Sequence, residues 1–116
     1  MKKLKTLTGH EFQCKTYPDK ELIVYPPDDQ GNLQEKSAIV ITPFTQDLVK
    51  EAIKLSGRIL MGASRDNPPR SSLGFLIKKE KQSPQQLSYL IPVLIDDGFC
   101  TFERSGKAFV IKYGRS

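Results

Sequence analysis

The chain has few of the residues on which catalytic and metal sites depend. It contains two cysteines, one histidine and no tryptophan in 116 residues. Cys14 and Cys100 have no second thiol near either, so they form neither a zinc-binding pair nor a CxxC redox motif, and we expect both to be buried and reduced. His10 lies in a Thr-Gly-His-Glu turn with no serine or cysteine motif around it, which favours a solvent-exposed turn residue over a catalytic base.

Motifs for nucleotide and metal-dependent chemistry are also missing. Gly62-Ala-Ser-Arg has neither the spacing of a phosphate-binding loop nor a predicted strand before it. Pro18-Asp19 looks like the start of a nuclease motif, but no Glu-x-Lys or Asp-x-Lys follows on a strand at suitable spacing. We therefore expect a protein that is not an enzyme and that uses neither a cofactor nor a metal.

Long apolar runs are absent as well. No run approaches the roughly 18 residues that cross a bilayer, and Met-Lys-Lys-Leu-Lys is not followed by the apolar stretch of a signal peptide. We expect a cytoplasmic protein that does not interact with membranes. The length of 116 residues and the 38% hydrophobic content predict one compact unit around one core.

What the sequence does have is a local excess of positive charge. Residues 1–50 contain seven Lys and seven Asp or Glu, whereas residues 51–116 contain eleven Lys or Arg against six acids and supply the net charge of +5. Such a distribution is typical of a polyanion binder, although a solvated face that keeps the protein soluble would look the same. Seven of these basic residues fall between residues 54 and 81: Lys54, Arg58, Arg65, Arg70, Lys78, Lys79 and Lys81.

Residues 1–44 predict a small antiparallel sheet. The stretches 11–16 and 21–25 flank Tyr17-Pro18-Asp19-Lys20, whose Pro-Asp pair suits a type I turn, so they predict a β-hairpin. Further turn signals rich in proline, aspartate and glycine lead to the β-branched run 37–42, which predicts a third strand.

The remaining chain begins with helical periodicity. Apolar residues at helical spacing predict a helix over 46–61, with Thr45 as its N-cap. Residues 72–80 fit a strand or a short helix capped by Ser72, because Gly74 weakens both patterns, and we prefer the helix.

Ser83-Pro84-Gln85-Gln86 is the clearest local signal. It has the spacing of a capping box with proline at the first helical position, and it predicts a helix that begins at Pro84 and ends at Gly98. Pro92 removes one helical hydrogen bond and predicts a kink. The stretches 99–103 and 107–113 flank Arg104-Ser-Gly and predict a β-hairpin.

The order of these predicted elements resembles the winged helix-turn-helix superfamily, in which a recognition helix is followed by glycine and a two-stranded wing. The stretch from Ser83 to Phe99, with the hairpin that runs to Tyr113, carries the resemblance, which covers little more than half of the chain. It implies winged-helix-like helices and a β-hairpin over 45–116. The small antiparallel β lobe over 1–44 is not part of the resemblance, and the two lobes together predict an α+β fold.

The resemblance also implies a set of nucleic-acid-binding residues. A recognition helix in the major groove presents its first exposed side chains to base edges, while basic residues beside it and at the wing tip meet phosphates. The residues that would contact bases are Gln85, Gln86, Ser88 and Tyr89. Those that would contact phosphates are Lys78, Lys79, Lys81, Arg104 and Lys107. The alternatives are a capping residue for Gln86, a helix-surface residue for Ser88, a core-rim residue for Tyr89 and a solubilising turn for the lysines.

The loop 62–71 is a separate candidate. Arg65 and Arg70 flank Pro-Pro and, together with Arg58, could form a stiff phosphate-binding loop. A surface connector without a binding role is the competing interpretation.

These features together predict a nucleic-acid-binding protein, with duplex DNA favoured, that serves in transcription regulation or as the targeting module of a larger system. The alternative is a protein-interaction adaptor, or a homodimer, that presents Tyr89 and Val93. RNA binding is a third hypothesis, in which Phe12, Phe99 and Phe102 stack on bases instead of packing in the core.

Overall fold

In a computed structural model of the chain, the structure describes residues 2–17, 20–26, 38–63 and 68–114. Within these residues the architecture is α+β, as predicted, with two antiparallel sheets and three helices. The elements follow in the order β1 (Lys2–Lys5), β2 (Glu11–Thr16), β3 (Leu22–Tyr25), β4 (Ile39–Ile41), α1 (Pro43–Ser56), β5 (Arg58–Leu60), α2 (Leu73–Lys79), a 3-10 turn (Pro84–Gln86), α3 (Leu87–Asp96), β6 (Cys100–Ser105) and β7 (Ala108–Tyr113).

The first sheet has the strand order β1-β2-β3-β4, with every pair antiparallel. The predicted hairpin is confirmed as β2 and β3, and β4 confirms the third strand over a shorter range. Pro18-Asp19 and the turn signals between residues 27 and 32 lie outside the described residues. The edge strand β1 is an addition to the prediction, because Lys-Lys-Leu-Lys has a single apolar residue and shows no alternation that would indicate a strand.

Alternation along the strands gives the first sheet two different faces. Its inner face carries apolar side chains that are buried in the core: Phe12, Cys14, Leu22, Val24 and Ile41. Its outer face carries the side chains of the alternate positions: Lys3, Lys5, Glu11, Gln13, Lys15, Ile23, Tyr25 and Val40.

Helix α1 corrects the predicted helix 46–61 at both ends. Its N-cap is Thr42, whose Oγ1 accepts from the Thr45 N–H at 3.3 Å, and proline stands at the first helical position. Thr45, the predicted cap, is therefore buried in the first turn. The helix ends at Gly57, which has φ +70° and donates its N–H to the Ile53 carbonyl at 2.9 Å.

The next three residues form a strand instead of the last helical turn. Ile59 and Leu60 continue the apolar helical spacing of α1, which is why the sequence pattern extended the helix. They pair instead with Ile111 and Val110 of β7, so that β5 completes a second sheet of order β5-β7-β6. A strand thus precedes Gly62, contrary to the sequence-based expectation. The predicted C-terminal hairpin is confirmed as β6 and β7.

The predicted short helix is confirmed as α2, and the structure explains its glycine. Ser72 caps α2 by accepting from the Phe75 N–H at 3.2 Å. Gly74 donates its N–H to the Met61 carbonyl at 2.9 Å, and a Cβ at this position would lie 1.7 Å from the carbonyl oxygen of Gly62. Only glycine allows the two backbone segments to approach this closely.

The predicted capped helix begins where expected, but its first turn is a 3-10 turn. Ser83 Oγ accepts from the Gln85 N–H at 3.3 Å. The second bond of a capping box is not made, because Gln86 Oε1 is buried without a hydrogen-bond partner among the described residues and its Nε2 donates to Gln82 instead. Helix α3 then continues through Pro92 and ends two residues before Gly98, which has φ +80°.

Both sheets share one hydrophobic core. Buried residues from the inner face of the first sheet, from all three helices and from β7 form a single cluster. Phe12 of β2 meets Tyr89 of α3 edge to face, with ring centroids 5.2 Å apart, and Lys2 Nζ donates to Asp96 Oδ2 at 2.5 Å. Within the described part of the chain, none of the helices is both long enough and apolar enough to cross a membrane.

Candidate nucleic-acid interface

Three exposed lysines lie at the end of α2 and in the turn that follows it. Lys78 and Lys79 occupy the last turn of α2, and Lys81 follows in a left-handed conformation with φ +63°. This conformation reverses the chain, and the Gln82 N–H closes the turn by donating to the Ile77 carbonyl at 2.9 Å. We call these three lysines the cationic turn.

Lys79 and Lys81 have no acidic partner among the described residues. The ion pairs found there join Lys2 to Asp96 and Glu103 to both Arg58 and Lys112. The two ammonium groups are therefore available to an external anion.

The four predicted base-contacting residues differ in how far they reach the surface. Gln85, which follows the cationic turn, is exposed. Gln86 and Ser88 are half-buried, and the amide of Gln86 is already engaged with Gln82. Tyr89 is half-buried with its ring against Phe12. Of the four, Gln85 is the one that the structure leaves open to a base edge.

Most of α3 is covered. From Leu87 to Ile95, a range that the structure describes in full, no side chain is more than partly exposed. One side of the helix packs into the core, and Tyr89 and Val93 on the other side face β2 of the first sheet. Because the first sheet occupies this side, the side chain that a partner can reach here is Gln85, in the 3-10 turn that precedes α3.

The tip of the second hairpin carries the next pair of cations. Arg104 Nε donates to the Gly106 carbonyl at 3.2 Å, and its guanidinium lies 5.8 Å from the ring centroid of Phe109. Lys107 is exposed and lines a shallow groove of about 310 Å³ together with Gly62, Pro69 and neighbouring residues of β7. The groove thus places Lys107 beside the loop that leads to α2.

Helix α2 separates this groove from the cationic turn. Arg70 is exposed and precedes the N-cap Ser72 by two residues, while Lys79 is the last residue of the helix. The helix has seven residues, and at 1.5 Å per residue it is about 10 Å long. Arg70 and Lys107 therefore lie near one end of α2, and the cationic turn lies at the other.

Arg58 does not join these groups. It begins β5, where it pairs in register with Lys112, and its guanidinium forms an ion pair with Glu103. The Glu103 carboxylate also lies 3.9 Å from Lys112 Nζ. The charge of Arg58 is therefore partly offset within the second sheet. Arg65 lies outside the described residues.

Both cysteines are buried thiols. Burial raises the pKa of Cys100 to about 11 and also raises the pKa of Cys14, so both remain protonated at neutral pH. Among the described residues, no three His, Cys, Asp or Glu side chains are close enough together to hold a metal ion.

Sequence reasoning missed the outer face of the first sheet. Lys3, Lys5 and Lys15 share this face with Tyr25 because β1 pairs with β2 in the observed register. The period-two spacing of Lys3 and Lys5 was the available signal, but it indicates a shared face only once β1 is known to be a strand. Phe12, proposed as a base-stacking residue, is buried in the core.

In comparisons with known proteins, the chain matches no protein-family model, no curated protein and no solved structure.

Proposed function

We propose that the protein binds duplex nucleic acid, with DNA preferred, through the cationic turn and Gln85 at one end of α2 and through Arg70 and Lys107 at the other. In this role it acts as a regulator of transcription or as the targeting module of a larger system. The observation that carries the proposal is the pair of exposed lysines, Lys79 and Lys81, that lack an acidic partner among the described residues and precede the exposed Gln85 by six and four residues.

The order of elements supports a winged-helix architecture for this lobe. The chain runs α1, β5, α2, α3, β6, β7, which contains the helix, short helix, capped helix and hairpin that the sequence resemblance implies. The hairpin of β6 and β7 follows α3 directly, in the position of a wing. The resemblance and the exposed cations point to the same partner by independent routes.

The mode of binding follows from what is exposed. Since the first sheet covers the middle of α3, contacts with phosphates dominate, and base contacts are confined to the start of the helix. Gln85 can pair with adenine through its amide. We therefore expect affinity that depends strongly on salt and a weak sequence preference.

Fluorescence anisotropy with a labelled duplex at several salt concentrations tests the proposal. Five phosphate-binding cations, the three lysines of the cationic turn with Arg70 and Lys107, predict a slope of about −4.5 in a plot of log K against log salt. Lys79→Glu should weaken binding about tenfold for every sequence and reduce the slope by about one. Gln85→Ala should leave the slope unchanged and alter the preference among sequences.

Lys54→Glu is the matched control. Lys54 is also an exposed lysine in the last turn of a helix, so this substitution imposes the same change of charge and the same helix-dipole penalty as Lys79→Glu. Equal losses for the two variants, or binding that is insensitive to salt, would rule the proposal out.

A protein partner is the second candidate, and α1 is the element that favours it. Phe44 and Leu55 are 58% and 78% exposed, and they lie on the same side of the helix three turns apart. Tyr89 and Val93, the residues first considered for this role, are instead half-buried against the first sheet. Light scattering after nuclease treatment separates the candidates, because a complex that persists without nucleic acid favours the protein partner.

A further inference from the structure

The outer face of the first sheet combines cations with aromatic rings in register. Lys3, Gln13 and Tyr25 form one cross-strand row through β1, β2 and β3. Lys15, Ile23 and Val40 form the next row through β2, β3 and β4. The face is therefore cationic on the β1 and β2 side and aromatic or apolar on the β3 and β4 side.

The apolar side of this face is partly open to solvent, with Tyr17 and Val40 exposed and Ile23 and Tyr25 half-buried. Tyr17, Ile23, Tyr25 and Val40 line a shallow concavity of about 360 Å³ together with Glu21 and Ala38. Tyr17 and Val40 are 37% and 43% exposed, which leaves room for a flat ligand against the strands. Lys15 Nζ lies 4.9 Å from the centre of the Tyr17 ring, so one ammonium group already sits beside the aromatic surface.

The cationic side is not neutralised by the described acids. Lys5 stands opposite Glu11, but their side chains form no ion pair, and Lys3 and Lys15 stand opposite Gln13 and Ile23. A partner of this face binds more tightly if it carries negative charge near the lysines and planar apolar groups near the aromatic and apolar side chains.

The spacing of the two sides suits a nucleotide. Adjacent strands are about 4.8 Å apart, so Lys3 on β1 and Tyr25 on β3 have backbones about 10 Å apart. Long lysine side chains shorten this distance at the level of the ligand, so a phosphate can meet the lysines while its base lies on a tyrosine. In a duplex the base faces are stacked on each other and cannot do this, whereas an unpaired strand exposes them.

We propose that the outer face of the first sheet binds single-stranded nucleic acid, with bases stacked on Tyr25 and Tyr17 and phosphates held by Lys3, Lys5 and Lys15. This surface is separate from the proposed duplex-binding residues, which belong to the other lobe. Stacking and phosphate contacts are common to DNA and RNA. The proposal therefore covers single-stranded DNA and single-stranded RNA, and the experiment distinguishes the two.

Titration of the full chain with labelled oligothymidylate and oligouridylate tests this proposal. Tyr25→Ala should weaken binding about tenfold because one stacked base is lost, whereas Tyr25→Phe should retain the affinity because the ring remains. The chain has four tyrosines and no tryptophan, so stacking should also quench the intrinsic tyrosine fluorescence of the parent and less that of Tyr25→Ala. Preference for oligouridylate over oligothymidylate would favour RNA as the single strand that this face binds.

Two charge variants test the proposal without relying on the tyrosine variants, whose substitution could also affect folding. Lys3→Glu combined with Lys15→Glu should abolish single-strand binding and leave duplex binding unchanged, whereas Lys79→Glu should weaken duplex binding about tenfold and leave single-strand binding unchanged. The proposal is overturned if the two sets of variants affect both ligands alike, if Tyr25→Phe loses as much affinity as Tyr25→Ala, or if neither oligonucleotide binds. Loss of duplex binding in the Lys79 variant alone would still support the first proposed function, so the two failures are distinguishable.

Discussion

The outward faces of the two sheets carry the same kinds of cation beside different neighbours. In the second sheet, Arg58 and Lys112 share a face with Glu103, whose carboxylate lies close to both. In the first sheet, Lys3 and Lys15 stand opposite an amide and an apolar side chain. Cross-strand neighbours decide whether a surface cation is available to a ligand.

Charge counted along the sequence favours residues 51–116 over residues 1–50 as the binding region, whereas the outward faces of the two sheets favour the first sheet. Residues 1–50 have equal numbers of basic and acidic residues, yet the outer face of the first sheet presents three lysines and a single glutamate on its strands. In the basic half of the chain, the charge of Arg58 is partly offset by an ion pair with Glu103. Charge counted along the chain therefore indicates a type of partner but not the surface that binds it.

The inward faces of the two sheets are alike, because both belong to one core. Phe12→Ala tests this similarity and should have the largest effect, a loss of about 3–5 kcal/mol in the free energy of unfolding, since a buried phenylalanine is removed. Chemical unfolding should be followed by circular dichroism and by tyrosine fluorescence. A shared core predicts one transition at the same denaturant concentration for both probes, and two separate transitions would show that the sheets unfold independently.

Gly74→Ala perturbs only the second lobe and should be next in size. A Cβ at residue 74 would meet the Gly62 carbonyl oxygen at 1.7 Å, so α2 must shift and the protein should lose about 3 kcal/mol. Gly57→Ala is the control: its added Cβ meets nothing within 4 Å, and its positive φ alone should cost about 1 kcal/mol. Similar melting temperatures for the two variants would contradict the close approach of α2 to Gly62.

The smallest expected effect concerns the two buried thiols. Cys14 lies in the first sheet and Cys100 in the second, so they allow a further comparison of the two sheets. Burial raises the pKa of Cys100 from 9.0 to about 11, so the folded state retains a proton that the unfolded state releases. Stability should therefore be unaffected below pH 9 and fall by about 2–3 kcal/mol as the pH rises to about 11. At Cys14 the Lys2 ammonium opposes the effect of burial on the pKa. Unfolding of the parent, Cys100→Ala and Cys14→Ala at pH values on either side of this window should show the larger loss of pH dependence for Cys100→Ala.

Local signals were sufficient for much of the fold. The two hairpins, the short helix capped by Ser72 and the start of the helix at Pro84 were all predictable, because each depends on residues adjacent in sequence. The end of α1 was not, because Ile59 and Leu60 extend the apolar spacing of the helix and become a strand only by pairing with β7. Strand β1 likewise exists through its pairing with β2 and not through its own pattern.

The sequence predicted which types of residue form the candidate site, but not how many of them are exposed. The lysines before the capped helix are exposed, as a binding role requires, and Gln85 follows them. The sequence could not indicate that Tyr89 lies against Phe12, because that contact joins residues distant along the chain. The covering of α3 by the first sheet removes most of the expected recognition surface for the same reason.

The contact between Gly62 and Gly74 determines where the chain should tolerate an insertion. On one side the Met61 carbonyl accepts from the Gly74 N–H, and on the other Ser72 Oγ donates to the Pro69 carbonyl at 2.6 Å. The first bond joins the end of β5 to the start of α2 and the second holds Pro69 against the N-cap of α2, and doubling the length of a connection whose ends are held together costs only about 0.6 kcal/mol. An insertion between Ala63 and Pro68, such as a short reporter peptide, should therefore leave both proposed binding surfaces in place.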